Sequence, residues 1–303
     1  MKPALHLLPL PALREDNPRD FLAALGLLGA LTLRWPAQRI RLAWDGPAGI
    51  PVISSETPLA ADWSAVLVAD LQALNKHSLE PLRHGPIIKS ESVIFRGATL
   101  AAVSFRDTGG PFAELPERLY SSYSSQMLAE KSSEVEPTAF SFGNGQSGKN
   151  LLLDVSQLLA ALKPDELEHS LNGSAVPVAA KSLRWHPAEF RPAAHRGPDP
   201  GTKTKGDETR DFPALNVLAF LGLTFFPCVP GADGGLTVGM VRENRQTFFR
   251  WPIWETPLDA DSIRTLVALP VKALIHRPGI IRGWKSRRFS SDKSLYFARA
   301  EPA

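Results

Sequence analysis

Apolar residues cover nearly every side of a helix that the sequence predicts close to its N-terminus. The stretch 21–33, FLAALGLLGALTL, is apolar almost throughout, which is typical of a helix buried on most of its sides. Asn17 can cap the first turn, Pro18 suits the first helical position, and Asp20 complements the helix dipole. The pattern therefore predicts a buried helix that opens at Asn17-Pro18.

Shorter patterns along the rest of the chain predict a mixture of helices and strands. Amphipathic spacing or capping residues predict further helices at residues 57–74, 116–128, 150–162, 165–171, 213–226 and 259–269. Alternating or β-branched runs predict strands at residues 39–44, 92–107, 138–142, 183–185, 236–241 and 247–254. Because the two kinds of element alternate irregularly, the sequence predicts an α+β fold, with mixed helices and small antiparallel sheets around one or two cores.

One segment has the composition of a linker or mobile loop. Residues 191–211, RPAAHRGPDPGTKTKGDETRD, are rich in Gly, Pro, Lys and Asp. They separate a predicted N-terminal α+β region, 1–190, from a C-terminal region, 212–303, that ends in a basic and aromatic segment. RDFLAAL at 19–25 and RDFPALN at 210–216 are alike, but one such pair is weak evidence of an internal duplication.

The composition is that of a soluble globular chain. It has 303 residues, of which 44% are hydrophobic and 21% charged. The single cysteine, Cys228, excludes an intramolecular disulfide and every cysteine-based zinc site, and its apolar context predicts a buried, inert thiol. Pro9 and Pro11 break the apolar stretch at the N-terminus, so no signal peptide is predicted. The run 21–33 is too short to span a bilayer, and we expect a cytoplasmic protein without membrane association.

A glycine-rich loop resembles a phosphate-binding P-loop. Residues 143–150, GNGQSGKN, match the pattern G-x-x-x-x-G-K-[ST] at Gly143, Gly148 and Lys149. Asn150 stands where a Ser or Thr hydroxyl would bind Mg²⁺. No apolar run that ends in an acidic residue follows downstream, and the loop lies in the middle of the chain. These differences weigh against hydrolysis of a nucleoside triphosphate.

Three interpretations of this loop remain open. It can be a plain strand-to-helix turn with glycines at positive φ, or a nucleotide-binding loop of a P-loop-like protein. It can also contact nucleic-acid phosphates, because the N–H groups and dipole at a helix start favour anions. In that last case the candidate contacts are Asn144, Gln146 and Lys149.

Positive charge is concentrated at the C-terminal end. Residues 270–303 include eight basic and two acidic residues, a formal charge of +6, so the other 269 residues carry −3 of the total of +3. Cations there interleave with aromatic residues. Cations follow phosphates and aromatic rings stack on bases, so the segment predicts a nucleic-acid surface of Arg282, Trp284, Lys285, Arg287, Arg288, Phe289, Lys293, Tyr296 and Arg299. The alternative is a solvated basic strand pair whose aromatic residues pack on the core.

Signatures of catalysis are not found in the sequence. It contains no H-E-x-x-H, no G-x-S-x-G and no DEAD-like box, and its seven histidines are scattered without the spacing of metal ligands. We therefore expect a protein that is not an enzyme, with no cofactor and no metal.

Several stretches resemble proteins encoded in CRISPR–Cas loci of subtype I-G, formerly I-U. DNPRDFLAALGLLGAL resembles their N-P-x-x-F-L-A-x-x-G-L-L opening, and FSFGNGQSGKNLLLDV resembles their central glycine and glutamine segment. The remaining blocks follow in order as SLRWHPAEFR, LNVLAFLGLTFFPCVP, FFRWPIWETPL and SRRFSSDKSLYFARAE. The chain is similar to the helicase–nuclease extension family of these loci and, more distantly, to their large-subunit-like effector proteins.

This resemblance implies a role in RNA-guided DNA interference, an antiviral defence. The chain would be a non-catalytic subunit or adaptor that contacts guide RNA or target DNA, or that couples the effector complex to the helicase–nuclease. A subunit with protein contacts alone remains an alternative. None of the matching stretches is a catalytic signature.

Overall fold

The computed structural model of the chain describes residues 5–76, 95–96, 111–112, 114–115, 118–119, 122, 124–128, 134–140, 148–180, 183–187, 210–231, 234–291 and 294–303. The helices in these ranges are α1 (Pro18–Arg34), α2 (Trp63–Leu74), α3 (Gly148–Ala161), α4 (Pro164–Asn172), α5 (Pro213–Gly222), α6 (Ala260–Ala268) and α7 (Val271–Leu274). The strands are β1 (His6–Pro9), β2 (Arg41–Trp44), β3 (Pro51–Ser55), β4 (Phe95–Arg96), β5 (Ser124–Leu128), β6 (Glu134–Pro137), β7 (Val178–Ala179), β8 (Arg210–Asp211), β9 (Cys228–Gly231), β10 (Gly234–Thr237), β11 (Met240–Glu243), β12 (Gln246–Trp254), β13 (Ile280–Ser291), β14 (Ser294–Phe297) and β15 (Glu301–Pro302).

The strands form small sheets. The largest has the order β11-β12-β13-β14, with β15 also paired to β13, and two three-stranded sheets have the orders β1-β3-β2 and β4-β6-β5. The pairs β9–β10 and β7–β8 are two-stranded. Within the described ranges every strand pair is antiparallel. The predicted α+β class is therefore confirmed.

The centre of the molecule is the pair of helices α1 and α5, which pack on one another. Both are apolar on nearly all sides, and both are buried along most of their length. Phe21 of α1 joins this pair to the large sheet, since its ring lies 5.6 Å from the ring of Trp251 and 6.3 Å from that of Phe249. Most of the described buried apolar residues, from both predicted regions of the chain, belong to one core cluster.

The single cysteine is buried, as its apolar context predicts. Cys228 lies at the start of β9, and its thiol contacts the carbonyl oxygen of Ser122 at 3.4 Å. Burial raises the pKa of this thiol above its ordinary value, so the reactive thiolate is disfavoured.

Two predicted helices differ from the structure. The helix expected at 57–74 begins only at Trp63, because the Ser55 hydroxyl binds the Thr57 carbonyl at 2.7 Å and holds a bend before the helix. The helix expected at 116–128 is wrong over its last part, where Ser124–Leu128 form β5. Serine is a weak helix former, and here pairing with β6 satisfies the backbone groups.

Two predicted strands also differ. The strand expected at 138–142 is wrong at residues 138–140, because β6 ends at Pro137 and the Thr138 hydroxyl accepts the N–H of Phe140 at 3.3 Å in a tight turn. The segment 183–185 is not a strand, because Arg184 has φ of 63°, in the left-handed region. Most of the predicted strand 92–107 and of the loop 191–211 lies outside the described residues.

The helix predicted at 259–269 is confirmed, together with its cap. The contribution of this cap to stability can be tested. The Asp259 carboxylate accepts the N–H of Ser262 at 2.8 Å at the start of α6. We expect Asp259→Ala to lower the free energy of unfolding by about 1 kcal/mol at pH 7. Its hydrogen bonds lower the pKa of Asp259 below the ordinary value of 3.8.

A group with a lowered pKa stabilises the fold above its unfolded pKa and loses that contribution as the pH falls through its folded pKa. The difference between Asp259→Ala and the unchanged chain, measured by urea unfolding, should therefore shrink below about pH 4. Asp259→Asn, which can still cap the helix, is the control. A deficit that stays constant down to pH 2.5 would show that the carboxylate charge does not contribute.

Candidate nucleic-acid interface

The basic and aromatic segment forms β13, the long central strand of the largest sheet. Because successive side chains of a strand point to opposite sides, its residues divide into two sets. Trp284 lies opposite Trp251 on β12, and Ser286 lies opposite Phe249. Trp251, Phe249 and Ser286 are fully buried, so this side of the sheet faces the core. Arg282, Trp284 and Arg288 therefore belong to the core-facing side.

The other side of β13 carries a smaller set of basic and aromatic residues. Lys285 lies opposite Arg250 of β12, Arg287 lies opposite Phe248, and Phe289 lies opposite Tyr296 of β14. The Lys285 ammonium lies 5.8 Å from the centre of the Phe248 ring. We call this side the outer sheet face and define it by Phe248, Lys285, Arg287 and Tyr296.

Cations outnumber carboxylates among the described residues of this side. The buried Arg250 pairs with Glu243 through its Nη2, and Lys272 of α7 lies 3.7 Å from the same carboxylate. Lys285 lies 3.3 Å from Glu301 of β15, which is mostly exposed. Because Glu301 is open to solvent, its pair with Lys285 is expected to contribute little to stability, so Lys285 can exchange Glu301 for a phosphate. Together with the exposed Arg287, these side chains make four cations and two carboxylates among the residues that the structure describes on this side.

The core-facing cations have structural contacts instead. Arg282 binds both carboxylate oxygens of Glu15, with distances of 2.8 Å from Nε and 3.0 Å from Nη2. Arg288 is half-buried, and desolvation lowers the pKa of its guanidinium. Trp284 packs partly against the core, as the alternative interpretation of the segment expects. The single surface predicted from residues 282–299 is therefore divided between the two sides of a sheet.

The remaining predicted contacts are placed only in part. Arg299 is exposed after β14 and Tyr296 is half-buried on it, whereas for Phe289 the structure describes only the backbone, on β13. Lys149 lies in the first turn of α3, and its side chain is not described. Asn144, Gln146 and Lys293 lie outside the described residues. Their roles stay predictions.

Phe248 and Lys272 belong to the outer side but were missed in the sequence. Phe248 was overlooked because it lies in a predicted strand 34 residues before Arg282, the first residue of the predicted surface, in the apolar run TFFRW. Its position becomes visible only through the register that places it opposite Arg287. For Lys272 the sequence offers no comparable signal.

The strand before the glycine loop differs from that of a P-loop unit. β6 pairs with β4 and β5 in antiparallel orientation, whereas strand–helix–strand units with phosphate loops are typical of parallel sheets. α3 begins at Gly148, so the loop does lead into a helix. A contact between this helix start and a phosphate group stays a prediction.

Comparisons with known proteins do not add to this geometry. No protein-family model and no curated protein matches the chain. Over the described ranges, none of the helices is both long and apolar enough to cross a membrane. The same ranges hold no group of three or more His, Cys, Asp or Glu residues that could bind a metal ion. The candidate interface therefore rests on the outer sheet face itself.

Proposed function

We propose that the chain is a non-catalytic nucleic-acid-binding protein and that the outer sheet face is its main contact surface. The observation that supports this proposal is the alignment of Lys285 and Arg287 with the rings of Phe248 and Tyr296 on one side of the large sheet. The cations neutralise backbone phosphates, and the rings offer bases a stacking surface.

A sheet face that carries half-buried aromatic rings beside cations suits a single strand more than a duplex. Stacking requires bases that are not already stacked on each other, and sheet-based RNA-binding domains use aromatic residues of central strands in this way. Lysine and exposed arginine contact phosphates without reading the sequence. We therefore expect binding of single strands with little sequence preference at this face.

The resemblance to proteins of subtype I-G loci supplies the biological context of the proposal. In that context the ligand is guide RNA or target DNA, the protein partners are effector subunits and the helicase–nuclease, and the location is the cytoplasm. The chain would hold a nucleic-acid strand in the effector complex or connect that complex to the helicase–nuclease.

Charge reversal on the outer sheet face tests the proposal. We expect Arg287→Glu to weaken binding of a single-stranded oligonucleotide about tenfold at low salt, because it replaces a phosphate contact with repulsion. The slope of log affinity against log salt should fall by about 0.7 in the same variant, the value for one phosphate contact on a single strand. Fluorescence anisotropy over a salt series measures both quantities.

The matched control is Arg242→Glu. Arg242 is exposed on β11 of the same sheet, opposite Thr247, and therefore lies on the other side. It changes the net charge equally and should leave the affinity within about twofold of the unchanged chain. Equal losses in the two variants would mean that total charge matters and not this face. Unchanged binding by Arg287→Glu would contradict the proposal.

Two further measurements separate the proposal from its alternatives. Calorimetric titration of a nucleoside triphosphate with and without Mg²⁺ tests the P-loop-like alternative, and binding that is lost in Lys149→Ala would support it. Co-purification with the proteins of the locus, before and after nuclease treatment, tests an assembly role. A complex that survives without nucleic acid would favour protein contacts alone.

A further inference from the structure

The residue that caps the central helix α1 contacts a histidine that is distant in the sequence. Asn17, which is 1% exposed, places its side-chain Nδ2 atom 2.8 Å from Nδ1 of His186, 169 positions further along the chain. His186 is half-buried in the segment 183–187. This contact therefore connects the segment 183–187 with the N-terminal end of α1.

The cap fixes the direction of this hydrogen bond. The amide oxygen of Asn17 accepts the N–H of Arg19 at 3.1 Å, so the NH₂ group of the same amide is the part that faces His186. An amide NH₂ group can only donate. Nδ1 of His186 therefore has to accept, as it does in a neutral imidazole whose proton is on Nε2.

Protonation of His186 is incompatible with this arrangement. An imidazolium has N–H groups on both ring nitrogens, so its Nδ1–H would face the NH₂ group of Asn17 across 2.8 Å. Turning the amide over would bring its oxygen to the imidazolium, but the N–H of Arg19 in the first turn of α1 would then lose its acceptor. The cap and a hydrogen bond to the charged imidazole exclude one another.

The nearby carboxylates favour the charged form of His186 instead. Burial raises the pKa of Asp211, but Arg19 and, more weakly, the imidazole of His186 hold it below its ordinary value. Asp211 shares the guanidinium of Arg19 with Asp20, so these three side chains have two carboxylates for one cation. Arg184, on the same segment as His186, is half-buried and opposes a second positive charge. His186 thus has Asn17 as the partner of its neutral form and Asp211 as the partner of its charged form.

We propose that Asn17 and His186 form a pH-sensitive switch between α1 and the segment 183–187. The neutral imidazole accepts from Asn17, and the protonated imidazole exchanges that contact for the charge of Asp211. An imidazole in water takes up its proton near pH 6.5, so the contribution of the Asn17 contact is present above about that pH and is lost as the pH falls below it. The switch goes beyond the proposed function and is independent of the outer sheet face.

A second contact keeps the segment 183–187 on the core in both states. Trp185 is fully buried, and its indole N–H donates to the carbonyl oxygen of Phe140 at 3.0 Å. Neither atom of this hydrogen bond titrates near neutral pH. Proton uptake by His186 therefore changes the link to α1 without detaching the segment.

A double-mutant cycle separates the contact from the other charges of the cluster. Asn17→Ser keeps a capping oxygen but has no NH₂ group, and His186→Ala removes the imidazole. Urea unfolding of the full chain, the two variants and the double variant gives the coupling between the two side chains. We expect this coupling to lower the unfolding equilibrium constant about fivefold at about pH 8, the usual size for one hydrogen bond, and to be absent at about pH 5. Equal coupling at the two pH values, or none at either, would overturn the proposal.

Asn17→Asp should reverse the pH dependence. A carboxylate still accepts the N–H of Arg19, but it presents a second acceptor to His186 in place of the NH₂ group. The protonated imidazole then becomes the better partner, so the coupling to His186 should be larger at about pH 5 than at about pH 8. Coupling that still disappears in acid would show that the donor group of Asn17 is not the cause.

The tautomer of His186 can be observed directly. Nitrogen NMR of the imidazoles in the full chain at about pH 8 should show His186 with its proton on Nε2 and a bare Nδ1, and His186→Ala identifies its resonances. The exposed His276 is the internal control, since Asn17→Ser should shift the resonances of His186 and leave those of His276 unchanged. A proton on Nδ1 of His186 at this pH would overturn the proposed direction of the hydrogen bond and with it the switch.

Discussion

Replacing Arg19 by Ala should lower the free energy of unfolding by about 3–5 kcal/mol, the range for removing one partner of a buried ion pair. The Arg19 side chain is 3% exposed. Its guanidinium donates to Asp20 at 2.7 and 2.9 Å and to Asp211 at 2.8 Å. Both carboxylates are also buried. Without Arg19, two negative charges remain in the interior close to one another, and one or both must take up a proton.

The loss of stability caused by Arg19→Ala should become smaller as the pH falls from 7 towards 4. In the unchanged chain Arg19 and the hydrogen bonds from Asn216 and Phe212 hold the pKa of Asp211 below the ordinary value of 3.8, although burial opposes them. The contribution of Asp211 is therefore present above pH 3.8 and is lost as the pH falls through its lower folded pKa. Burial raises the pKa of Asp20 even beside Arg19, so Asp20 stabilises the fold at low pH and loses that contribution as the pH rises through its folded pKa.

Urea unfolding at several pH values measures this prediction. Removing Arg19 raises the folded pKa of both carboxylates, so the deficit of Arg19→Ala should be largest near pH 7 and should decrease as the pH falls towards 4. Arg39→Ala is the control, because Arg39 is 68% exposed in its pair with Glu56, and such pairs contribute at most about 1 kcal/mol. Equal deficits in the two variants would contradict a structural role for the buried cluster.

The sequence predicts the start and the burial of α1, but it does not predict the buried ion pairs of Arg19. The cap and apolar run of α1 are local features, so its start at Pro18 and its burial follow from neighbouring residues. The burial of Arg19 does not, because its partner Asp211 is 192 residues away. The likeness of RDFLAAL and RDFPALN is the one sequence signal that relates the two segments. In the structure RDFLAAL lies in the first turns of α1, and RDFPALN leads into α5.

The candidate interface divides in a similar way. That Arg282 and Arg288 share one side of a strand follows from their even spacing in the sequence. Which side faces the core does not, because that depends on Phe249 and Trp251 of the neighbouring strand. The members of the pair Glu15–Arg282 are separated by 267 residues. Local patterns contain no information on such contacts.

The close approach of α1 and α5 depends on two glycines, one in each helix, and each of them lies against the backbone of the other helix. A Cβ on Gly26 would lie 1.8 Å from the carbonyl oxygen of Leu218, and a Cβ on Gly222 would lie 2.0 Å from that of Leu22. Both obstacles are backbone atoms of a buried helix, so neither can move away without separating the helices. This reciprocal contact explains why glycine, a poor helix former, stands in the middle of α1 and at the last position of α5.

Gly26→Ala should therefore lower the free energy of unfolding by about 3 kcal/mol or more, at or above the upper end of the cost of overpacking a core. Gly222→Ala should have a similar effect for the same reason.

The matched control is Gly29→Ala, in α1 like Gly26, where the nearest atom to a new Cβ is a ring carbon of Phe225 at 3.3 Å. A ring can shift by a few tenths of an ångström, and alanine gains about 1 kcal/mol in helix propensity, so this control should stay within about 1 kcal/mol of the unchanged chain. Urea unfolding followed by circular dichroism ranks the three variants. If Gly26→Ala were as stable as Gly29→Ala, the two helices could not be packed backbone to backbone at this point, and the centre of the core would have to be arranged differently.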